Sequence, residues 1–111
     1  MAESDLDLLP TALASRSIND REIVLPLTEA LAAIDHLEGA GRHLLGWEGW
    51  LLYPDGGVGH SARHQGTADL SMLTPAEAAD FCRETIRLAA AEFEADAEPV
   101  GRKLIFCISV N

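Results

Sequence analysis

The sequence predicts an α+β fold, a small antiparallel or mixed sheet with two helices packed on one of its faces. Three observations predict it. Two stretches, one from Leu27 to Leu37 and one from Pro75 to Ala95, repeat apolar residues at helical spacing. The dipeptide Asp55-Gly56 stands between two strand-like runs and reads as a hairpin turn. Residues 103–110 alternate, with Leu104, Phe106, Ile108 and Val110 on one face. Helices and strands that interleave in this way bury their apolar faces most simply as a helical layer on a sheet.

The elements follow in chain order. Residues 1–10 are acidic and read as a loose arm, with one helical turn over 5–9. Asn19-Asp20 is a turn signal that would pair residues 14–18 with 21–25, where Ile23, Val24 and Leu25 form a strand-like run. Pro26 suits the first turn of a helix, where its missing N–H costs nothing. Leu27, Ala30, Leu31, Ile34 and Leu37 then mark an apolar stripe, and Gly39 and Gly41 end it. Residues 44–53 read as a strand rich in Leu and aromatic residues, and 58–64 as its return. Centring a type I′ turn on Asp55-Gly56 sets Tyr53 opposite Val58, Trp50 opposite Ser61 and Glu48 opposite Arg63; centring it on Gly56-Gly57 sets Trp50 opposite Arg63. Both registers stay open. Thr74-Pro75-Ala76-Glu77 is a capping box with proline at the first helical position. It opens the longer helix, with Ala78, Phe81, Cys82, Thr85, Ile86, Ala89 and Phe93 on the buried side and Asp80, Arg83, Glu84, Arg87 and Glu94 on the wet side. Residues 98–101 break the chain. Ile105 and Cys107, opposite the main apolar face of the last run, mark a central or well-covered strand.

The 111 residues make one domain, with 48% hydrophobic and 23% charged residues. Eight Lys and Arg face eighteen Asp and Glu, a formal net charge of −10. Such a field repels nucleic acid and anionic lipid and speeds encounter with a cationic partner. No apolar run reaches the length of a membrane span, and the acidic start lacks the features of a signal peptide, so the expected compartment is the cytoplasm. Cys82 and Cys107 fall in apolar patterns without metal or redox spacing and read as buried free thiols.

No catalytic or cofactor motif is specific. His60 and His64, four apart on a strand, lie roughly 13 Å from each other by strand rise, too far for one zinc ion. The glycine-rich run 56–61 lacks the Walker lysine and does not lead from a strand into a helix. Ser61, His60, His64 and Asp69 can be drawn as a triad, but no nucleophile elbow is present. Neither a cofactor nor enzymatic activity is expected.

The informative segment is 46–57, with three of the six aromatic residues inside seven positions, Trp47, Trp50 and Tyr53. Alternation sets Trp47 with Leu51 and Tyr53, and Trp50 with Glu48 and Leu52, so one tryptophan belongs to the core side and the other to the open side. In size, acidity, element order and lack of catalytic motif the chain resembles bacterial immunity proteins. That resemblance implies an inhibitor that covers the active site of a cognate, cationic toxin. The residues expected at the contact come from charge and aromaticity around the hairpin: Glu48, Trp50, Asp55, His60, Arg63 and Asp69. A second expectation is a small enzyme or ligand-binding domain with a pocket lined by Trp47, Tyr53, His60 and His64. A homodimer, formed through the aromatic face or through residues 103–110 if they lie at an edge, is compatible with either.

Overall fold

A computed structural model describes residues 4–66, 69–95 and 101–111; the side chains of Ala62 and Arg63 fall outside that description. Four strands form one sheet in the order β1-β4-β2-β3: β1 (Ile23–Leu25), β2 (Leu44–Leu52), β3 (Val58–Gly66) and β4 (Lys103–Val110). Every neighbouring pair is antiparallel. Two helices of ordinary length cross between strands, α2 (Leu27–Gly39) from β1 to β2 and α3 (Pro75–Ala95) from β3 to β4; a single turn, α1 (Thr11–Ala14), precedes them. Each crossover joins two strands that run parallel and lie on either side of a third. The α+β fold, with its antiparallel sheet and helices on one face, is the one the residue pattern predicts.

The helices start and stop where local chemistry directs. Thr74 Oγ1 accepts from the Glu77 amide at 3.1 Å and Glu77 Oε1 accepts from the Thr74 amide at 2.9 Å, the reciprocal capping box. The Pro26 carbonyl accepts the first bond of α2, from Ala30. At its other end Gly41 takes a positive φ of 76°, and the Arg42 amide reaches back to the Leu37 carbonyl.

One main core fills the space between helices and sheet. Ile23 and Leu25 of β1, Leu44 and Trp47 of β2, and Phe106, Ile108 and Val110 of β4 meet Ala30, Ala33, Ile34 and Leu37 of α2 and Ala78, Ala79, Cys82, Ile86 and Ala89 of α3. The small side chains of α3 let it sit close to its neighbours. A second, smaller cluster lies on the opposite face of the sheet, where Val24, Ile105 and Cys107 are buried and Trp50 and Leu52 pack on them. β4 lies between β1 and β2 and is buried on both faces over Ile105–Ile108, as its two apolar faces predict. Since it is no edge, it has no free edge to pair with a strand of a second copy.

Three expectations are corrected. The arm is docked from Asp5 onward. It forms a 3-10 turn (Asp5–Leu8) and then α1, and Leu6, Leu8 and Leu13 pack on the core beside buried Leu9. The turn at Asn19 forms, with the Asn19 side chain accepting from the Arg21 and Glu22 amides, but residues 14–18 do not make a strand. One backbone bond, Ile18 to Val24, and the Ser17 hydroxyl accepting from the Val24 amide cover the edge of β1 instead.

The hairpin follows neither predicted register. Leu52 pairs with Val58, Trp50 with His60 and Gly49 with Ser61; the register then shifts and Glu48 pairs with Gln65. The turn is a three-residue loop rather than a type I′ pair. The Tyr53 carbonyl accepts from Gly56, the Tyr53 amide donates to Gly57, and Gly56 has a φ of 88°. Pro54 explains the choice: a type I′ turn centred on Asp55-Gly56 would have the residue-54 amide donate to the Gly57 carbonyl, and proline has no amide hydrogen, whereas its fixed φ near −65° suits the first central position of a type I turn. The shift places Ala62, Arg63 and His64 between consecutive partners, a bulge that crosses Gly49 so closely that a Cβ there would lie 2.6 Å from the His64 carbonyl oxygen.

Candidate functional site

The face of the sheet away from the helices is read from its register. Residues directly opposite on antiparallel strands share a face, so Val58, Leu52 and Lys103 form one row. His60, Trp50 and Ile105 form the next, and Gln65, Glu48 and Cys107 the third, with Val24 beyond Cys107. In the β4–β1 half of these rows Ile105, Cys107 and Val24 are buried and Lys103 is exposed. The β2–β3 half is accessible: Trp50, Leu52 and Glu48 are half-buried, and Val58, His60 and Gln65 are exposed.

Trp50 stands at the centre of the accessible half. Its indole Nε1 donates to Glu48 Oε1 at 3.1 Å, and the His60 ring meets its edge at 5.0 Å between centroids. His60 Nδ1 lies 3.7 Å from the same Glu48 oxygen. The three side chains thus hold one another, and the indole is pre-placed rather than free to rotate. Further carboxylates stand at the margin. Glu22 accepts from the Cys107 thiol at 3.4 Å. Burial, and then the nearby Glu22 charge, raise the Asp5 carboxyl above its ordinary 3.8. Burial first, with Glu22, Glu48 and Asp5 adding, pushes the Cys107 thiol up to about 12. The Cys107 thiol is therefore held in its protonated, weakly nucleophilic form near neutral pH.

Of the six residues expected at a contact, the structure brings Glu48, Trp50 and His60 together. Asp55 lies at the exposed hairpin tip, where its carboxylate accepts from the Gly57 amide at 2.8 Å. Asp69 is apart from them. The His43 ring donates to the Leu70 carbonyl at 2.9 Å, which ties residues 69–70 to the start of β2, whereas Asp55 follows its end. The two are separated by roughly 25 Å of strand. Asp69 is exposed and accepts from Ser71, which lowers its carboxyl below the ordinary range. The position of the Arg63 side chain lies outside the described residues.

The bulge in β3 sends its two histidines to opposite faces. His60 stays with Trp50, while His64 turns to the helical side, bonding Ser61 Oγ through Nδ1 at 2.7 Å and meeting the Phe93 ring at 5.9 Å. They cannot share one ion, and no group of three metal-ligating side chains is present among the described residues. The pocket set Trp47, Tyr53, His60 and His64 is divided for the same reason. Trp47 is a core residue, only 3% exposed, with its indole donating to Thr85 Oγ1 at 2.8 Å and its ring edge on Phe106. Tyr53 covers Gly59 near the turn. A cleft of about 150 Å³ beside Trp47, His64, Thr85 and Glu92 remains, but the Ser61 hydroxyl is not on its wall.

Two features of the structure leave no sign in the residue pattern. Arg83, placed on the wet side of α3, is a clasp between the helices, with its guanidinium 2.8 Å from Asp35, 2.8 Å from Glu38 and 2.6 Å from Asp80. The carboxylates at Asp5 and Glu22 join the margin of the Trp50 face only through the docking of the N-terminal segment. Among the described residues, no helix is long and apolar enough to cross a membrane. No protein-family model matches this chain, and no curated protein shows significant similarity to its sequence.

Proposed function

We propose that this protein is a protein-binding inhibitor of the immunity type, which acts in the cytoplasm by docking a cationic toxin and covering its active site. The observation that carries the reading is the half-buried Trp50, held by Glu48 and His60 on a sheet face that no helix covers among the described residues. A rigid indole with Leu52 and Val58 beside it supplies the dry centre of a contact. Glu48, Glu22, Asp5 and the tip residue Asp55 supply negative charge around it, and the net charge of −10 draws a basic partner from a distance. Inhibition needs no chemistry from this chain, only occupancy.

The test is a pull-down from the source organism's lysate, washed at low and at high salt. The reading expects one basic protein, weakened by salt and lost from a Trp50→Ala bait that melts like the parent. Capture of nothing, or capture that is indifferent to Trp50 and to salt, would remove it.

The second reading, a small enzyme, draws on the Ser61–His64 hydrogen bond. It expects turnover of small esters that Ser61→Ala abolishes, measured on the purified protein.

A further inference from the structure

A larger cleft, of about 400 Å³, opens where the start of α2, the last turns of α3 and the start of β4 meet. Leu27 comes from α2, Ala90 and Phe93 from α3, and Leu104 from β4; all four are only half-covered, and Ile18 nearby is 44% exposed. Arg102 and Lys103 line the same cleft, and among the described residues Glu94 is the one carboxylate on its wall.

We propose that this cleft binds a small amphipathic carboxylate, whose apolar body lies against Leu27, Phe93 and Leu104 and whose acid group meets Arg102 and Lys103. Three features select that class. The volume is that of a small-ligand site, and the wall is mainly apolar with few polar groups, the usual composition of such sites. The charge on that wall opposes the charge of the molecule. Two of the chain's eight basic residues stand side by side here, against a surface carrying eighteen acidic ones. A guanidinium and an ammonium form doubly charged, bidentate-capable hydrogen bonds with a carboxylate, weaker ones with a neutral hydroxyl, and are repelled by a cationic head group. The long-range repulsion from the rest of the protein is largely screened at physiological salt, so the adjacent pair decides the local preference. The cleft borders the proposed contact, since Leu52 lines it and Lys103 shares a row with Leu52 on the Trp50 face; Trp50 is not on its wall, so a Trp50 variant tells the two readings apart.

The experiment is calorimetric titration of the intact protein with decanoate, decanol and decylammonium at physiological salt, below their aggregation limits. Decanoate is expected to bind one to one and at least about tenfold more tightly than decanol, a factor worth about 1.4 kcal/mol. Arg102→Gln with Lys103→Gln should bring decanoate down to the affinity of decanol and leave decanol unchanged. Ala90→Trp, which fills the cleft, should remove both. The double glutamine variant changes only the polar lining, and its melting curve shows whether it folds. Trp50→Ala should leave decanoate binding as it is. No decanoate binding at millimolar concentration would overturn the proposal. So would equal binding of all three probes, or binding that survives the double glutamine variant or disappears with Trp50→Ala.

Discussion

Trp47 and Trp50 are three positions apart and face opposite sides of the sheet. Alternation alone assigns them to different faces, but not which is inside. That is decided by the extra residue near Gly46, whose φ of 143° lets β2 slip between Leu44 and Trp47 so that both reach the core. Trp47→Ala is therefore expected to cost about 3–5 kcal/mol in chemical denaturation, the usual range for a buried large aromatic. Trp50→Ala should cost far less and should weaken partner binding more than about tenfold, the behaviour of a central interface aromatic. The cysteines were legible from their apolar neighbours. Burial pushes the Cys82 thiol up to about 11 and the Cys107 thiol to about 12. Neither should react with a thiol reagent in the native protein at pH 8, and both should react at once in denaturant. Asp5 carries a sign that runs against most carboxylates. Its folded-state value is raised, so its contribution to stability is fully present below 3.8 and is lost as pH rises through the folded value. Asp5→Asn should thus stabilise the protein at neutral pH and make no difference in acid below the ordinary value, as read from denaturation at both.

At the scale of elements, signals that act within four residues came through intact. The capping box at Thr74 and the stop at Gly41 form as local chemistry directs. The hairpin did not, although Asp55-Gly56 is a strong signal, because Pro54 beside it excludes the turn that the dipeptide prefers. The β3 bulge was illegible for another reason: it depends on Gly49 of the facing strand, which leaves room for the His64 backbone to cross. Gly49→Ala should therefore destabilise by about 1–3 kcal/mol, the cost of overpacking, and should disturb the Ser61–His64 bond in histidine NMR spectra. Arg83 looked like a solvated charge because its partners on α2 lie 45 and 48 positions away. Hydrogen bonding to Asp80, with Glu38 and Asp35 adding, holds its guanidinium firmly charged. Arg83→Met should cost about 1–2 kcal/mol, since several partly exposed pairs are lost together. It also leaves three carboxylates facing one another, so the loss should shrink in about 1 M salt.

For the molecule as a whole, the acidity was the plainest message of the sequence and the least specific. It favours a class of partner without naming a surface. The surface needs register, and register needs the bulge and the turn, so among the described side chains of the expected set Glu48, Trp50 and His60 assemble while Asp55 and Asp69 stand apart. Reversing Glu22 and Glu48 should slow association with a basic partner, and the slowing should fade as salt is raised; an on-rate that ignores salt would remove the electrostatic part of the reading.

The wiring has a consequence for synthesis. β4 fills the slot between β1 and β2, yet it follows every other element in the chain, and Ile23 meets Ile108 from 85 positions away. A growing polypeptide that has left the ribosome as far as α3 holds two helices and a hairpin but no sheet that joins them to β1. Its apolar faces must wait, uncovered, for the final strand to emerge. Such a nascent chain is a natural client for a holding chaperone. Once complete, the domain should fold in a single, comparatively slow step, because closing that long span comes before any of the contacts that reward it.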